Sequence, residues 1–146
     1  MPEANEPIQR LLVEPSFDRY WKEWGRDGDI GFKYINPSNQ MPVGCAWLRV
    51  FTKSEANESF VADGIPELSI GVLDSWRNKG VGRLLLEQLI TEARAQGFPA
   101  ISLSVRADHP AIKLYESLNF KKITDSERTD RKGASSFNMI LELKYN

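Results

Sequence analysis

The stretch "DSWRNKGVGRLLLEQL", residues 74–89, constrains this chain more than any other. It follows directly on an apolar, strand-like run, Leu68-Ser69-Ile70-Gly71-Val72-Leu73. Arg77, Lys79, Gly80 and Gly82 come within six residues, Arg83 is next, and a helical pattern begins. From Gly80 to Gln96 the apolar positions are 81, 84, 85, 86, 89, 90 and 93, which is one face of an amphipathic helix. Gly97 ends it, with Pro99 just beyond. A helix starting at Gly80 leaves its first backbone N–H groups without intrahelical partners. Those groups and the helix dipole attract anions, phosphates above all. Glycine at 80 and 82 removes two Cβ atoms, so a phosphate can come down onto the backbone, and the three cations add charge around it. The stretch suits a pyrophosphate cradle; it also suits a plain strand-to-helix turn with solvated basic residues. It is not a P-loop, which ends in Gly-Lys-Ser/Thr, nor the dinucleotide G-x-G-x-x-G, which needs glycine where Leu85 stands.

The pattern around it predicts a mixed α/β sheet. "SFDRYWKEW" (16–24) reads as a short helix capped by Ser16. "IGFKYI" (30–35) reads as a strand, "VGCAWLRVF" (43–51) as a central strand apolar on both faces, and 52–66 as a polar loop. "ELSIGVLDS" (67–75) and "AISLSVRA" (100–107) alternate as strands, "HPAIKLYESLNF" is a second helix, and "KKIT" and "SSFNMILELKY" are strands around the charged turn "DSERTDRKG". Residues 1–15 read as loose chain. The order is β-β-β-α-β-α-β-β in one domain over 1–146, a length that suits a single core.

Composition narrows the function classes. A net charge of −1 argues against a protein built for nucleic acid. One cysteine, Cys45, leaves no disulfide framework and suits a reducing, cytoplasmic setting. No apolar run approaches the ~20 residues of a membrane span, and the polar start "MPEANEPIQR" has no signal-peptide core.

Arg77-x-x-Gly80-x-Gly82 after an apolar strand resembles the acetyl-CoA signature, Q/R-x-x-G-x-G/A, of the GNAT superfamily of N-acetyltransferases. "HPAIKLYESLNF" resembles that family's "NPAxxLYExLGF" helix, and residues 67–123 follow its pattern from strand to closing aromatic. The resemblance implies the GNAT fold: a mixed, mostly antiparallel sheet with helices flanking a central cofactor wedge. It implies acetyl-CoA as cofactor, with Val72 and Leu73 meeting the pantetheine arm through their backbone. Arg77, Asn78, Lys79, Gly80, Val81, Gly82 and Arg83 would hold the pyrophosphate, with His109 near the cofactor. Three residues depart from the pattern. Asn78 stands where glycine is common, His109 replaces asparagine before Pro-Ala, and Asn119 replaces glycine before Phe120, a position where asparagine accepts left-handed geometry. The family's opening strand-helix unit is either absent or compressed into "PIQRLLVEPSFDRYWKEW".

Acetyl transfer from a thioester to an amine needs a neutral amine, a base, oxyanion-stabilising N–H groups and an acid for the leaving thiolate. The resemblance places Tyr115 beside the cofactor sulfur as that acid; packing with Ile112 and Leu118 is its other reading. Glu67, at the head of the strand and in phase with Ser69 and Gly71, is the candidate base; a solvated strand-end carboxylate is the alternative. His109, the only histidine, gives no metal cluster and reads as a helix-start residue, and Cys45 as a buried small hydrophobe. Trp21, Trp24, Trp47 and Trp76 could line an acceptor pocket or be core. Glu55, Glu58 and Asp63 could attract a cationic amine or be a solvated loop. The expectation is an acetyl-CoA-dependent N-acetyltransferase acting on a primary amine. A non-catalytic CoA-binding module and a protein-interaction domain are the rivals, and the closing strand pair leaves a homodimer open.

Overall fold

The computed structural model describes residues 7–10, 29–51, 62 and 64–145. The helix expected at 16–24, with Trp21 and Trp24, and the acidic residues Glu55, Glu58 and Asp63 lie outside these. The chain falls into two units, one from Met1–Arg49 and Ser69–Gln96, the other from Val50–Leu68 and Gly97–Asn146.

In the first unit the alternating runs pair as an antiparallel hairpin. Strand β2 (Ile30–Ile35) meets β3 (Pro42–Arg49) with Ile30 opposite Leu48 and Phe32 opposite Ala46. β3 lies between β2 and β4 (Glu67–Val72), which explains why nearly every residue of β3 after Pro42 is buried. The outer strand is β1 (Ile8–Arg10), paired to β2 with Ile8 opposite Tyr34. The opening segment therefore holds a strand where loose chain was expected. Three residues carry too little periodicity to be read as one. Tertiary contacts hold it: Arg10 lies 5.4 Å over the Phe32 ring and 2.6 Å from Glu92 on the helix.

Helix α1 (Val81–Ala95) packs on β2 and β3. It buries Val81, Leu85, Leu86, Leu89, Ile90 and Ala93, and each fully buried leucine or isoleucine contributes about 1.5–3 kcal/mol. Leu84, counted with that face from the sequence, is instead 45% exposed. At the far end of the hairpin the Arg49 guanidinium donates to both Asp29 oxygens at 3.0 and 2.7 Å. Both side chains are 1% exposed. Desolvating two charges is offset only by such two-point geometry, and removing one partner of a buried pair costs about 3–5 kcal/mol.

In the second unit β8 (Ser135–Glu142) runs antiparallel to β5 (Ala100–Arg106), from Ala100 opposite Glu142 to Arg106 opposite Ser136. β6 (Lys121–Lys122) and β7 (Arg128–Thr129) also pair with β8. β7 is a second strand the sequence reading did not separate from the charged turn. The head of β4 joins β5 in parallel, Glu67 opposite Ser102.

Helix α2 (Ile112–Ser117) has six residues, half the length of the quoted motif. It stops through a Schellman arrangement: Asn119 takes φ 75°, Phe120 N–H donates to Tyr115 O at 3.0 Å, and Asn119 N–H donates to Glu116 O at 3.0 Å. The Tyr115 and Phe120 rings close over it, centroids 5.9 Å apart. This is the apolar contact that accompanies such caps, and it explains how asparagine serves where glycine is usual. Among the described residues, no helix is long and apolar enough to cross a membrane.

Candidate active site

The first unit assembles the loop singled out in the sequence. β4 ends at Val72, and Leu73 closes onto β3 by donating its N–H to Val43 O at 2.8 Å. A single 3₁₀ turn, Asp74–Trp76, follows, with Trp76 N–H donating to Leu73 O at 2.8 Å. Leu73 thus spends its N–H on the sheet and its carbonyl on the turn. What it presents outward is its side chain, 55% exposed.

The chain is extended at Arg77 (φ −72°, ψ 155°) and left-handed at Asn78 (φ 61°) and again at Gly80 (φ 84°) before entering α1. Two left-handed residues two positions apart turn the backbone sharply just before the helix start, where unpaired N–H groups favour an anion. Glycine at 80 is required by its φ, not by crowding, for a Cβ there would meet nothing within 4 Å. Asparagine at 78 is the one common substitute at such an angle.

The start of α1 has no internal provision for its orphan donors. Its N-cap is Gly80, no side chain caps it, and no acidic residue stands in its first turn. The first helical hydrogen bond runs from Leu84 N–H to Gly80 O at 3.1 Å. An ordinary helix places Ser, Thr, Asp or Asn at the cap and carboxylates in the first turn. This one places Arg83 there, with Arg77 and Lys79 just before it, an arrangement that an anion would favour. Arg77 is held 3.3 Å from Asp74, and Lys79 lies 5.0 Å over the Trp76 ring. Val72, Leu73, Arg77, Asn78, Lys79, Gly80, Val81, Gly82 and Arg83 therefore stand together on one strand-turn-helix corner.

One residue of this corner escaped the sequence reading. A Cβ on Gly44 would lie 3.1 Å from Val81 Cγ1, 3.3 Å from the Gly71 carbonyl oxygen and 3.3 Å from Val72 Cγ2. Glycine at 44 lets the end of β4 and the first residue of α1 close onto β3. Its signal was present: a glycine inside a strand marks close approach. Val81, only 2% exposed, is committed to this packing and can offer a ligand no more than its backbone.

The second unit carries the three other candidates. Glu67 is 6% exposed at the head of β4. It stands opposite the fully buried Ser102, whose N–H donates to Pro66 O at 3.0 Å. The solvated strand-end reading of Glu67 is therefore corrected: the residue is buried. Tyr115 is 6% exposed, and burial pushes its phenol up to about 12. The hydroxyl is thus fully protonated at neutral pH, as a proton donor must be. His109 is exposed, and its Nδ1 accepts the Ala111 N–H at 3.0 Å, so it shapes the entry to α2.

The remaining candidates are structural. Trp47 is 7% exposed within β3, so it belongs to the core. Cys45 is half-buried, and burial raises its thiol above the ordinary value, the state of an inert thiol rather than a nucleophile. Among the described residues, no three His, Cys, Asp or Glu side chains group as metal ligands.

Comparison with known proteins places this geometry. The sequence signature of the acetyltransferase (GNAT) family matches residues 3–120. A [ribosomal protein bS18]-alanine N-acetyltransferase from Salmonella typhimurium is 42% identical over 125 residues, 85% of this chain and 76% of that protein. An N-alpha-acetyltransferase from Saccharolobus solfataricus is 43% identical over 126 residues, 80% of this chain and 72% of that protein. The crystal structure of the ribosomal-protein-S18-alanine N-acetyltransferase from Escherichia coli shares the fold with a TM-score of 0.71 at 23% identity, over 95% of this chain and 94% of that one. A putative acetyltransferase from Salmonella typhimurium, solved with its cofactor acetyl-CoA, shares it with a TM-score of 0.66 at 22% identity, over 82% and 67% of the two chains. An uncapped, cationic helix start after a left-handed turn, within a chain so matched, identifies the protein as a member of the GNAT family of acetyltransferases, an acyltransferase that moves an acetyl group onto an amine.

Proposed function

We propose that this chain acetylates the α-amine of a protein or peptide N-terminus, by direct attack of the amine on the thioester of acetyl-CoA. The observation that carries the cofactor half is the start of α1, where Asn78 and Gly80 are left-handed and no cap or carboxylate serves the first N–H groups. The acceptor half is supported by two relatives, one named for acetylating alanine of a ribosomal protein and the other named an N-alpha-acetyltransferase. Those names also disfavour the two rival readings, a non-catalytic CoA-binding module and an interaction domain.

The chemistry agrees with such an acceptor. An α-amine has pKa near 7.7–8.0, so roughly a third is neutral at pH 7.5, against about one part in a thousand for a lysine amine near 10.4. One base of ordinary strength therefore suffices. When bound, acetyl-CoA supplies the activated acyl group and a thiolate to leave. The N–H groups that open α1, with Arg77, Lys79 and Arg83, hold the pyrophosphate, and Leu73 offers an apolar side chain to the pantetheine arm. His109 keeps to shaping the entry to α2. Glu67 accepts the proton of the attacking amine, directly or through water. Tyr115 gives its proton to the departing sulfur; burial keeps that proton on the phenol at neutral pH, so it is available as the C–S bond breaks.

The test is a panel of acceptors with acetyl-CoA, read by thiol release and by mass spectrometry of the product. It contains a peptide with a free N-terminus, the same peptide N-terminally blocked but with a free lysine, and a polyamine. Acetylation of the free N-terminus is expected. Preference for the lysine peptide or the polyamine would remove the α-amine as acceptor, and no thiol release from any would remove the catalytic reading.

A further inference from the structure

Trp76 has no part in the scheme above, yet it sits inside the turn that builds the cofactor loop. Its half-buried ring is tilted 49° against Tyr34 of β2, centroids 6.3 Å apart, and Lys79 Nζ lies 5.0 Å from its ring centre. Tyr34 belongs to a strand fixed on both sides, by Ile8 in β1 and Gly44 in β3. The indole is thus in contact with both a fixed tyrosine ring and an ammonium.

The electrostatics of the corner explain what the ring could do. Arg77, Lys79 and Arg83 crowd the positive end of the α1 dipole. Before an anion arrives they repel one another and that end. A lysine stem, with about 2 kcal/mol of rotamer freedom, would swing outward into water. Asp74 restrains Arg77 through an exposed ion pair. For Lys79 the aromatic face does the same without adding negative charge that would compete with a phosphate.

We propose that Trp76 is a positioning residue for cofactor binding: held by Tyr34, its ring keeps the Lys79 ammonium at the rim of the loop before the pyrophosphate binds. The inference rests on the reading of this loop as the acetyl-CoA cradle. It also moves Trp76 from the set of acceptor-pocket candidates to the cofactor side. The advantage is pre-organisation, an ordering cost met in folding rather than in binding.

A double-mutant cycle on the whole protein tests it, with acetyl-CoA affinity by titration calorimetry and KM and kcat by thiol release. Cation–π contacts at exposed sites are worth about 0.5–1 kcal/mol, so Lys79→Met and Trp76→Leu should each weaken acetyl-CoA binding about two- to fivefold. The effect should fall on KM for acetyl-CoA more than on kcat. The double variant should bind no more weakly than either single one, because the two act as a unit. In Trp76→Phe, which keeps an aromatic face and provides a milder change if the leucine variant does not fold, Lys79→Met should again cost affinity. Additive losses, or a Trp76→Leu protein that binds like the parent, overturn the inference. If the parent binds acetyl-CoA and Lys79→Met weakens it while Trp76→Leu does not, the cradle stands and only the role of Trp76 falls. If the parent protein does not bind acetyl-CoA at all, both fall together.

Discussion

Two glycines of this chain allow the cradle to be tested against its own backbone. Gly80 has φ 84° and Gly97 has φ 82°, and at neither would a Cβ meet any atom within 4 Å. Alanine at either position therefore meets the same penalty, left-handed strain of about 1–2 kcal/mol, with no clash added. For a chain of 146 residues, that lowers Tm by roughly 2–8 °C in both variants. The positions differ in what lies beside them. Gly80 is the N-cap of α1, one residue before the N–H groups assigned to the pyrophosphate, whereas Gly97 follows the helix end. On the proposed reading the open space at Gly80 is where the phosphate comes down, and a methyl group would stand in it. If the loop instead relaxes to relieve the strain, the N–H groups lose their alignment, with the same result. Gly80→Ala should thus weaken acetyl-CoA binding at least tenfold, about 1.4 kcal/mol, while Gly97→Ala binds like the parent. Thermal unfolding and calorimetry on both variants supply the comparison. Similar melting losses with equal affinities would refute the cradle, because the strain would then be shared and the ligand indifferent to it.

Tyr115→Phe keeps the ring against Phe120 and removes the hydroxyl; turnover should fall well over tenfold with acetyl-CoA affinity nearly constant, since the lost interaction belongs to the transition state. The same variant carries a pH signature. The folded phenol titrates at about 12 against about 10 unfolded, so its contribution is whole below pH 10 and is lost as pH rises to 12. That loss, about 2–3 kcal/mol, should appear in alkaline unfolding of the parent and be missing from the phenylalanine protein. Glu67→Gln should lower the acetylation rate at neutral pH by about 10²–10⁴, with part of the loss returning at higher pH as the amine deprotonates itself. An equal loss at every pH would assign the buried Glu67 to structure alone.

Much of this protein could be read locally. The strand at 30–35, the start of α1 beside Gly80 and its end near Gly97, and the stop of α2 at Asn119 follow from side-chain period and from residues that tolerate left-handed φ. These signals depend on a few neighbouring residues, so they survive without knowledge of the rest of the chain. The cationic loop was legible for the same reason, since a helix start that lacks a cap and carboxylates is a property of its own seven or eight residues. Other features had no local signal. Glu67 lies in the polar phase of its strand, yet it is buried, opposite Ser102, 35 positions later. Ile8–Arg10 is a strand because β2 offers an edge and Glu92 a counter-charge. Arg49 stands in an apolar run and is buried because the hairpin register brings Asp29 across from it. Gly44 and Trp76 acquire their roles from Val81 and Tyr34, far from them in sequence. Periodicity states which face of an element is apolar; what covers that face, and which charge meets which, depends on elements brought together only when the chain folds.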